Sequence, residues 1–180
     1  MKKTNHINSA KRTLDVESKA LTKLAANLDQ KFSNLCEVIL RSKGKIITLG
    51  VGKSGHIAQK ISSTLSSTGS PSYFIHATEA LHGDIGVISK NDSVLIFSHS
   101  GESKEIIDLI PSLKNIGCKI FSFTGPTEST IAKSTDINIS TEVDKEACPL
   151  DLAPTSSTTA ALALGDALAI ALLESRKFSL

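Results

Sequence analysis

Four short segments carry residue types that can hold or transform an anion. The first is Gly50-Val-Gly-Lys-Ser-Gly55. A Walker P-loop needs a glycine at position 47, where Ile47 stands. The dinucleotide spacing Gly50-x-Gly52-x-x-Gly55 is present, but Ser72-Tyr-Phe-Ile-His76 supplies no acid for a ribose. Both patterns share one physics: glycines admit a ligand to the backbone, and a helix N-terminus favours an anion. Lys53 adds a full positive charge there. A tight turn with a solvated lysine explains the same residues.

The second segment, Ser98-His-Ser-Gly-Glu-Ser103, sets Ser98, Ser100 and Ser103 around a glycine. Hydroxyls and free backbone N–H groups suit a phosphate monoester. The plainer alternative is a Ser-Gly turn with Ser103 as an N-cap. The third, Ala153-Pro-Thr-Ser-Ser-Thr-Thr159, is a second hydroxyl-rich helix start, and capping explains one or two of its five hydroxyls. Thr155 and Ser156 are expected to contact substrate. Just upstream, Glu146 in Lys145-Glu-Ala-Cys-Pro149 stands among small apolar residues that can tune a carboxyl for proton transfer. The alternative is an exposed loop carboxylate. The fourth segment, His76-Ala-Thr-Glu-Ala-Leu-His-Gly-Asp84, gathers His76, Glu79, His82 and Asp84. Its spacing matches no standard metal motif, and such clusters more often bind substrate or cap a helix. No required metal and no cofactor are expected.

These segments need a frame. Leu14, Leu21, Leu24 and Leu28 predict an amphipathic helix over 9 to about 31, and a second over about 33–42 ends at a Lys43-Gly44 C-cap. The period then changes. Short apolar runs predict strands at 45–49, 72–76, 93–97, 119–124 and, more weakly, 137–140. Helices are expected over 55–68, 103–115, 128–133 and 155–175. Alternation of this kind means an α/β fold, a parallel sheet covered by helices on both faces. Ligands bind such sheets at the carboxyl ends of the strands, where the candidate segments lie. No linker or repeat divides the chain, so a single domain is expected over 1–180, with N-terminal helices about 9–42 and an α/β core about 45–180.

Composition narrows the partners. The formal charge is +2, and the one basic cluster is Lys2, Lys3, Lys11 and Arg12. With one Tyr, no Trp and no basic stripe, nucleic acid is not expected. Cys36, Cys118 and Cys148 are odd in number and form no CxxC pair, which fits reduced thiols and a cytoplasmic setting. The N-terminus has no apolar run of the signal-peptide kind. Ala160 to Leu173, broken by Gly165 and Asp166, reads as a buried helix too short to span a bilayer, so no membrane is expected.

Taken together, Gly52-Lys-Ser-Gly-His-Ile57, Leu81-His-Gly-Asp84, Ser100-Gly-Glu-Ser103, Lys145-Glu-Ala-Cys-Pro-Leu150, Leu152-Ala-Pro-Thr-Ser-Ser-Thr-Thr159 and Gly165-Asp-Ala-Leu-Ala169 occur in a telling order. From about residue 10 onward the chain resembles the sugar isomerase (SIS) domain of the arabinose 5-phosphate isomerase family. The resemblance implies a Rossmann-like, five-stranded domain that interconverts D-ribulose 5-phosphate and D-arabinose 5-phosphate, supplying the Kdo sugar of lipopolysaccharide. It implies an aldose–ketose isomerase working through an enediol, assembled as a homotetramer with sites between subunits. By position, Lys53, Glu105 and Glu146 match the family's catalytic residues. Gly69, Ser70, His76 and His82 match substrate contacts, and His76 a position that can take an inhibitory zinc. Ser98, Ser100 and Ser103 match the phosphate loop.

The chain also departs from the pattern. His99 stands where the family has Asn, and His76-Ala-Thr-Glu79 replaces His-Pro-Gly-Glu. The sequence reaches Lys177-Phe-Ser-Leu180 before the family's Ser-His-Pro-Gly-Gly segment and its pair of cystathionine-β-synthase-type domains. Two alternatives therefore stand beside the isomerase: a sugar-phosphate-binding domain without turnover, and an isomerase of another sugar phosphate.

Overall fold

The computed structural model describes residues 5–176, so Lys2, Lys3 and Lys177 to Leu180 lie outside the described residues. In chain order the elements are α1 (His6–Ala26), α2 (Gln30–Arg41), β1 (Ile46–Gly50), α3 (Gly52–Ser67), β2 (Ser72–His76) and α4 (Ala77–Leu81). A 3-10 turn (Asp84–Val87) leads to β3 (Ser93–Ser98), α5 (Lys104–Ile116), β4 (Lys119–Thr124), α6 (Thr130–Ser134), β5 (Ile137–Ser140) and α7 (Ser156–Ser175).

The five strands form one sheet in the order β2-β1-β3-β4-β5, with every neighbouring pair parallel. β1 and β3 are buried along their whole length, as strands covered on both faces must be. After β1 the chain crosses outward to β2, and after β3 it crosses the other way to β4. Right-handed crossovers in opposite directions put their helices on opposite faces. One apolar layer accordingly joins Ile39 of α2, Ile61 and Leu65 of α3 and Leu164 and Leu168 of α7 to Phe97 and Phe121. The other joins Ala77 and Ala80 of α4, Ile106 and Leu113 of α5 and Ile131 of α6 to Leu49 and Ile96. By length and composition α7 is the one described helix apolar enough to cross a bilayer. Its buried Ala160, Leu164, Leu168 and Leu172 instead fill the first layer.

Three local expectations are corrected. The predicted helix over 9–31 ends at Ala26, because the Asp29 side chain accepts from Lys31 N at 2.9 Å and starts α2. Gly44 is not a left-handed cap: α2 closes on Ser42, and a Cβ at Gly44 would meet the Asn91 carbonyl oxygen at 2.2 Å. The helix predicted from residue 55 begins at Gly52, whose φ of +54° favours glycine.

At the amino ends of the strands, Asp92 is 3% exposed and binds β1 to β3. Its carboxylate accepts from Lys45 N at 2.9 Å, Lys45 Nζ at 2.8 Å and Ser89 N at 2.7 Å. Burial pushes this carboxyl up, but the bonds from Lys45 and Ser89 outweigh it and hold it below its ordinary range.

Candidate functional site

A ligand site is expected where adjacent parallel strands send their connections to opposite faces. In the order β2-β1-β3-β4-β5 that point lies above β1 and β3. A cavity of about 320 Å³ opens there, at the lower end of the range for small-molecule sites.

Its floor is apolar. Phe97 and Phe123 meet edge to face, with ring centroids 5.3 Å apart. Its walls come from three helix starts. The first turn of α3 supplies Lys53 and Ser54. The loop from β3 to α5 supplies Ser98, His99, Ser100 and Ser103. α7 supplies Ser157 and Thr158. Thr141 closes the rim. Among the described residues, Lys53 and His99 are the ionisable ones of this lining, and no carboxylate belongs to it. Hydroxyls, helix N-termini and a cation without a counter-charge make a receptor for an anion.

The β3–α5 loop is held rigidly. Ser98 is buried, and its Oγ lies 3.0 Å from Ser103 Oγ. Ser103 occupies the N-cap position of α5, yet its side chain makes no capping bond. The plain cap therefore gets the position right and the hydroxyl's use wrong. Gly101 takes a φ of +67° and its carbonyl accepts from Ile131 N at 3.0 Å. The Glu102 carboxylate accepts from Thr130 N at 2.7 Å, which turns that acid toward α6 and holds it below its ordinary range.

The start of α7 is arranged differently. Glu146 Oε2 accepts from Thr155 N at 2.7 Å, Thr155 Oγ1 at 2.9 Å and Ser157 N at 3.3 Å. Its other oxygen accepts from Ser157 Oγ. Burial pushes the carboxyl up, but the bonds from Ser157 and Thr155 prevail and hold it below its ordinary range. Thr155 also accepts from Ala147 N at 2.8 Å. Glu146 is thus the built-in anion of this helix start, neither a freely exposed carboxylate nor one raised toward neutral pH.

The sequence-predicted residues divide accordingly. Lys53, Ser98, Ser100 and Ser103 line the cavity. Glu146 and Thr155 stand just behind its α7 wall, joined to it through Ser157. Ser156 does not line it: the residue is fully buried, its hydroxyl has no partner among the described residues, and it points with Ala160 and Leu164 into the core. Glu105 lies in the first turn of α5, half-buried and outside the lining. His76 ends β2 and its Nδ1 accepts from Thr78 N at 3.3 Å, so it caps α4, and exposed His82 follows that helix. Gly69 and Ser70 are at the opposite end of the sheet, because α3 runs the sheet's length before β2 begins. This chain does not bring them to its cavity.

The first glycine run works by packing. A Cβ at Gly50 would come within 2.9 Å of the Gly55 backbone, so these glycines let β1 and α3 approach each other. Among the described residues, no three of His, Cys, Asp and Glu are placed to share a metal ion. Sequence reading missed Ser54, Thr141, Ser157 and Thr158. For α7 the signal was available: Pro154, Ser157, Thr158 and Ala161 follow helical spacing on one face, and Ser156, Ala160 and Leu164 on another.

Fold and cavity together define a parallel α/β domain whose topological switch point opens into a cavity with the chemistry to receive a small anion. The SIS domain model matches residues 39–171, and the chain belongs to that family. It is 51% identical to the arabinose 5-phosphate isomerase KdsD of Pseudomonas aeruginosa, over 96% of this chain and 53% of that protein. It is 49% identical to KdsD of Francisella tularensis, over 98% of this chain and 55% of that protein. The chain therefore spans about half the length of these curated relatives. A solved structure from Escherichia coli CFT073, in complex with arabinose 5-phosphate, superposes with a TM-score of 0.95 at 43% identity, covering 99% of this chain and 95% of that one.

Proposed function

We propose that the chain interconverts D-ribulose 5-phosphate and D-arabinose 5-phosphate. The observation that carries this reading is the hydroxyl-lined cavity at the switch point, with the Lys53 cation in its walls. The chain's likeness to KdsD relatives and to the arabinose 5-phosphate complex supports this choice of sugar. Ser98, Ser100 and Ser103 hold the phosphate, and the dipole of α5 assists.

The reaction moves a proton between C1 and C2 through an enediolate. A carboxylate takes the proton from one carbon and returns it to the other. Lys53 offsets the negative charge that develops on oxygen. Among the described residues the Glu105 carboxylate accepts no hydrogen bond, whereas Glu146 uses both oxygens at α7. Glu105 is accordingly the proposed base, and Glu146 sets the α7 wall. We also propose that copies of the chain assemble as a homotetramer, covering Leu150 and Leu152, which are 74% and 78% exposed.

The test is to incubate the protein with ribulose 5-phosphate in D₂O and follow arabinose 5-phosphate by proton NMR. Deuterated product, lost in Glu105→Gln, supports the assignment. Product formation undiminished by Glu105→Gln removes that residue as base. The position of Glu105 and Glu146 outside the cavity lining favours a second reading, a sugar-phosphate-binding domain without turnover. Binding of arabinose 5-phosphate with neither product nor deuterium exchange selects it.

A further inference from the structure

The phosphate loop holds a residue that the isomerase reading leaves unused. His99 sits between Ser98 and Ser100 and, like them, lines the cavity. It is exposed, and among the described residues neither ring nitrogen has a hydrogen-bond partner. Its backbone is fixed, because its carbonyl accepts from Gly125 N at 2.8 Å. Its ring is placed too. A Cβ added at Gly125 would lie 3.1 Å from both Nδ1 and Cε1 of that imidazole. The ring therefore rests against the backbone that follows β4, in space that a side chain at 125 would fill.

The charged groups around it leave its charge uncompensated. From α3 comes Lys53, a cation in the same lining. On its own loop, Glu102 is turned away to Thr130. Beyond β4, Glu128 pairs with Lys133 at 3.0 Å. Past β5, Glu142 lies on the side of Lys23, whose ammonium it favours. At α7, Glu146 is held by Thr155 and Ser157. In the first turn of α5, Glu105 is half-buried and outside the cavity lining. A proton on His99 thus finds no carboxylate in that lining among the described residues and is met by whatever anion enters.

We propose that His99 is a switchable cation of the phosphate cradle, distinct from the permanent charge that Lys53 brings to the same cavity, and that affinity for the phosphate ester rises as the imidazole takes up its proton. The proposal rests on the sugar-phosphate reading of this cavity and adds its regulation by pH. A lysine keeps its charge across physiological pH, whereas a histidine changes charge between about pH 5 and 8. The site therefore holds one permanent cation and one conditional one. Turnover need not follow, because the phosphate end of the substrate is remote from the carbons that exchange a proton.

A phosphate monoester itself titrates near pH 6, so the informative quantity is a ratio. KM for ribulose 5-phosphate is measured for the parent and for His99→Asn from about pH 6 to 8.5. The ligand's own ionisation cancels in KM(variant)/KM(parent). The expected ratio is about three to ten at pH 6 and near one above pH 8, consistent with a partly exposed charge-assisted bond. The corresponding kcat ratio stays level with pH. A KM ratio constant across the range overturns the proposal, since it describes an imidazole that only packs on Gly125.

Calorimetric dissociation constants for inorganic phosphate give the same ratio without turnover. Absent turnover with a pH-dependent ratio removes the isomerase and keeps His99. Turnover with a flat ratio does the reverse. Should His99→Asn disturb the loop, the parent alone decides, through an NMR titration of its histidines with and without phosphate. Affinity and protonation are reciprocally linked, so bound phosphate must raise the His99 titration midpoint by about half a unit to one unit, the same three- to tenfold linkage. An unmoved midpoint overturns the proposal.

Discussion

The chain builds two hydroxyl-rich helix starts at the same end of its sheet and uses them in opposite ways. At α5, Ser98, Ser100 and Ser103 border an open cavity, and the neighbouring acid Glu102 is turned toward α6. At α7, Thr155 and Ser157 close on Glu146, a carboxylate from the preceding loop. Both starts answer the same need, because the first N–H groups of a helix have no partner within it. One leaves that need for a ligand to meet. The other meets it within the chain and becomes a wall. Hydroxyl content alone does not distinguish receptor from strut; the position of the nearest carboxylate does.

The contrast can be broken in stages. Lys53→Ala should have the largest effect, because it removes, from the first turn of α3, the permanent cation of the cavity that the open start borders. A fall in kcat/KM of about a hundredfold or more is expected in a coupled assay. A fall below threefold would mean that the anion is held by hydroxyls alone. Next is Glu146→Ala, which strips the closed start of its acceptor. A loss of about 1–3 kcal/mol is expected in urea unfolding. Its charge also sets a pH signature. A carboxyl held below its ordinary 4.5 stabilises the fold above that value and ceases to as pH falls through its folded value. Glu146→Gln should lack that acid limb of the stability profile.

Ser103→Ala sharpens the comparison from the other side. The Ser103 hydroxyl bonds Ser98 and caps nothing, so KM should rise about three- to tenfold with stability changed by less than about 0.5 kcal/mol. A large stability loss with KM intact would make α5 a second strut. Ser156→Ala should do least. It deletes a buried hydroxyl with no partner among the described residues, so thermal unfolding should shift slightly upward or not at all, with KM unchanged.

The regular parts of this fold were readable before any coordinates. β4 and β5 fall on the apolar runs 119–124 and 137–140, because a short run between turn residues leaves few other choices. The break between α1 and α2 was not readable from spacing. Leu28 continues the leucine stripe past it, and only the side-chain bond of Asp29 shows where one helix yields to the next. In the site, the loop carrying Ser98, Ser100 and Ser103 could be placed from its position after a strand. Glu146 could not. Its role depends on a nine-residue return that brings its carboxylate onto Thr155, and no local pattern encodes that closure. The glycine run misled in part, since spacing cannot tell a backbone approached by a ligand from one approached by its own strand.

Asp92, buried beneath the far ends of β1 and β3, has a mechanical consequence for the cavity above them. The two strands are paired in parallel along their length, and at their amino ends one carboxylate ties Lys45, just before β1, and Ser89 to the start of β3. A ligand entering at the open mouth cannot pry the strands apart or slide one past the other. Whatever accommodation binding requires must come from the loops and first helical turns at the rim. The entropy lost on binding is therefore confined to a few residues, and the sheet meets each ligand as the same fixed jaw.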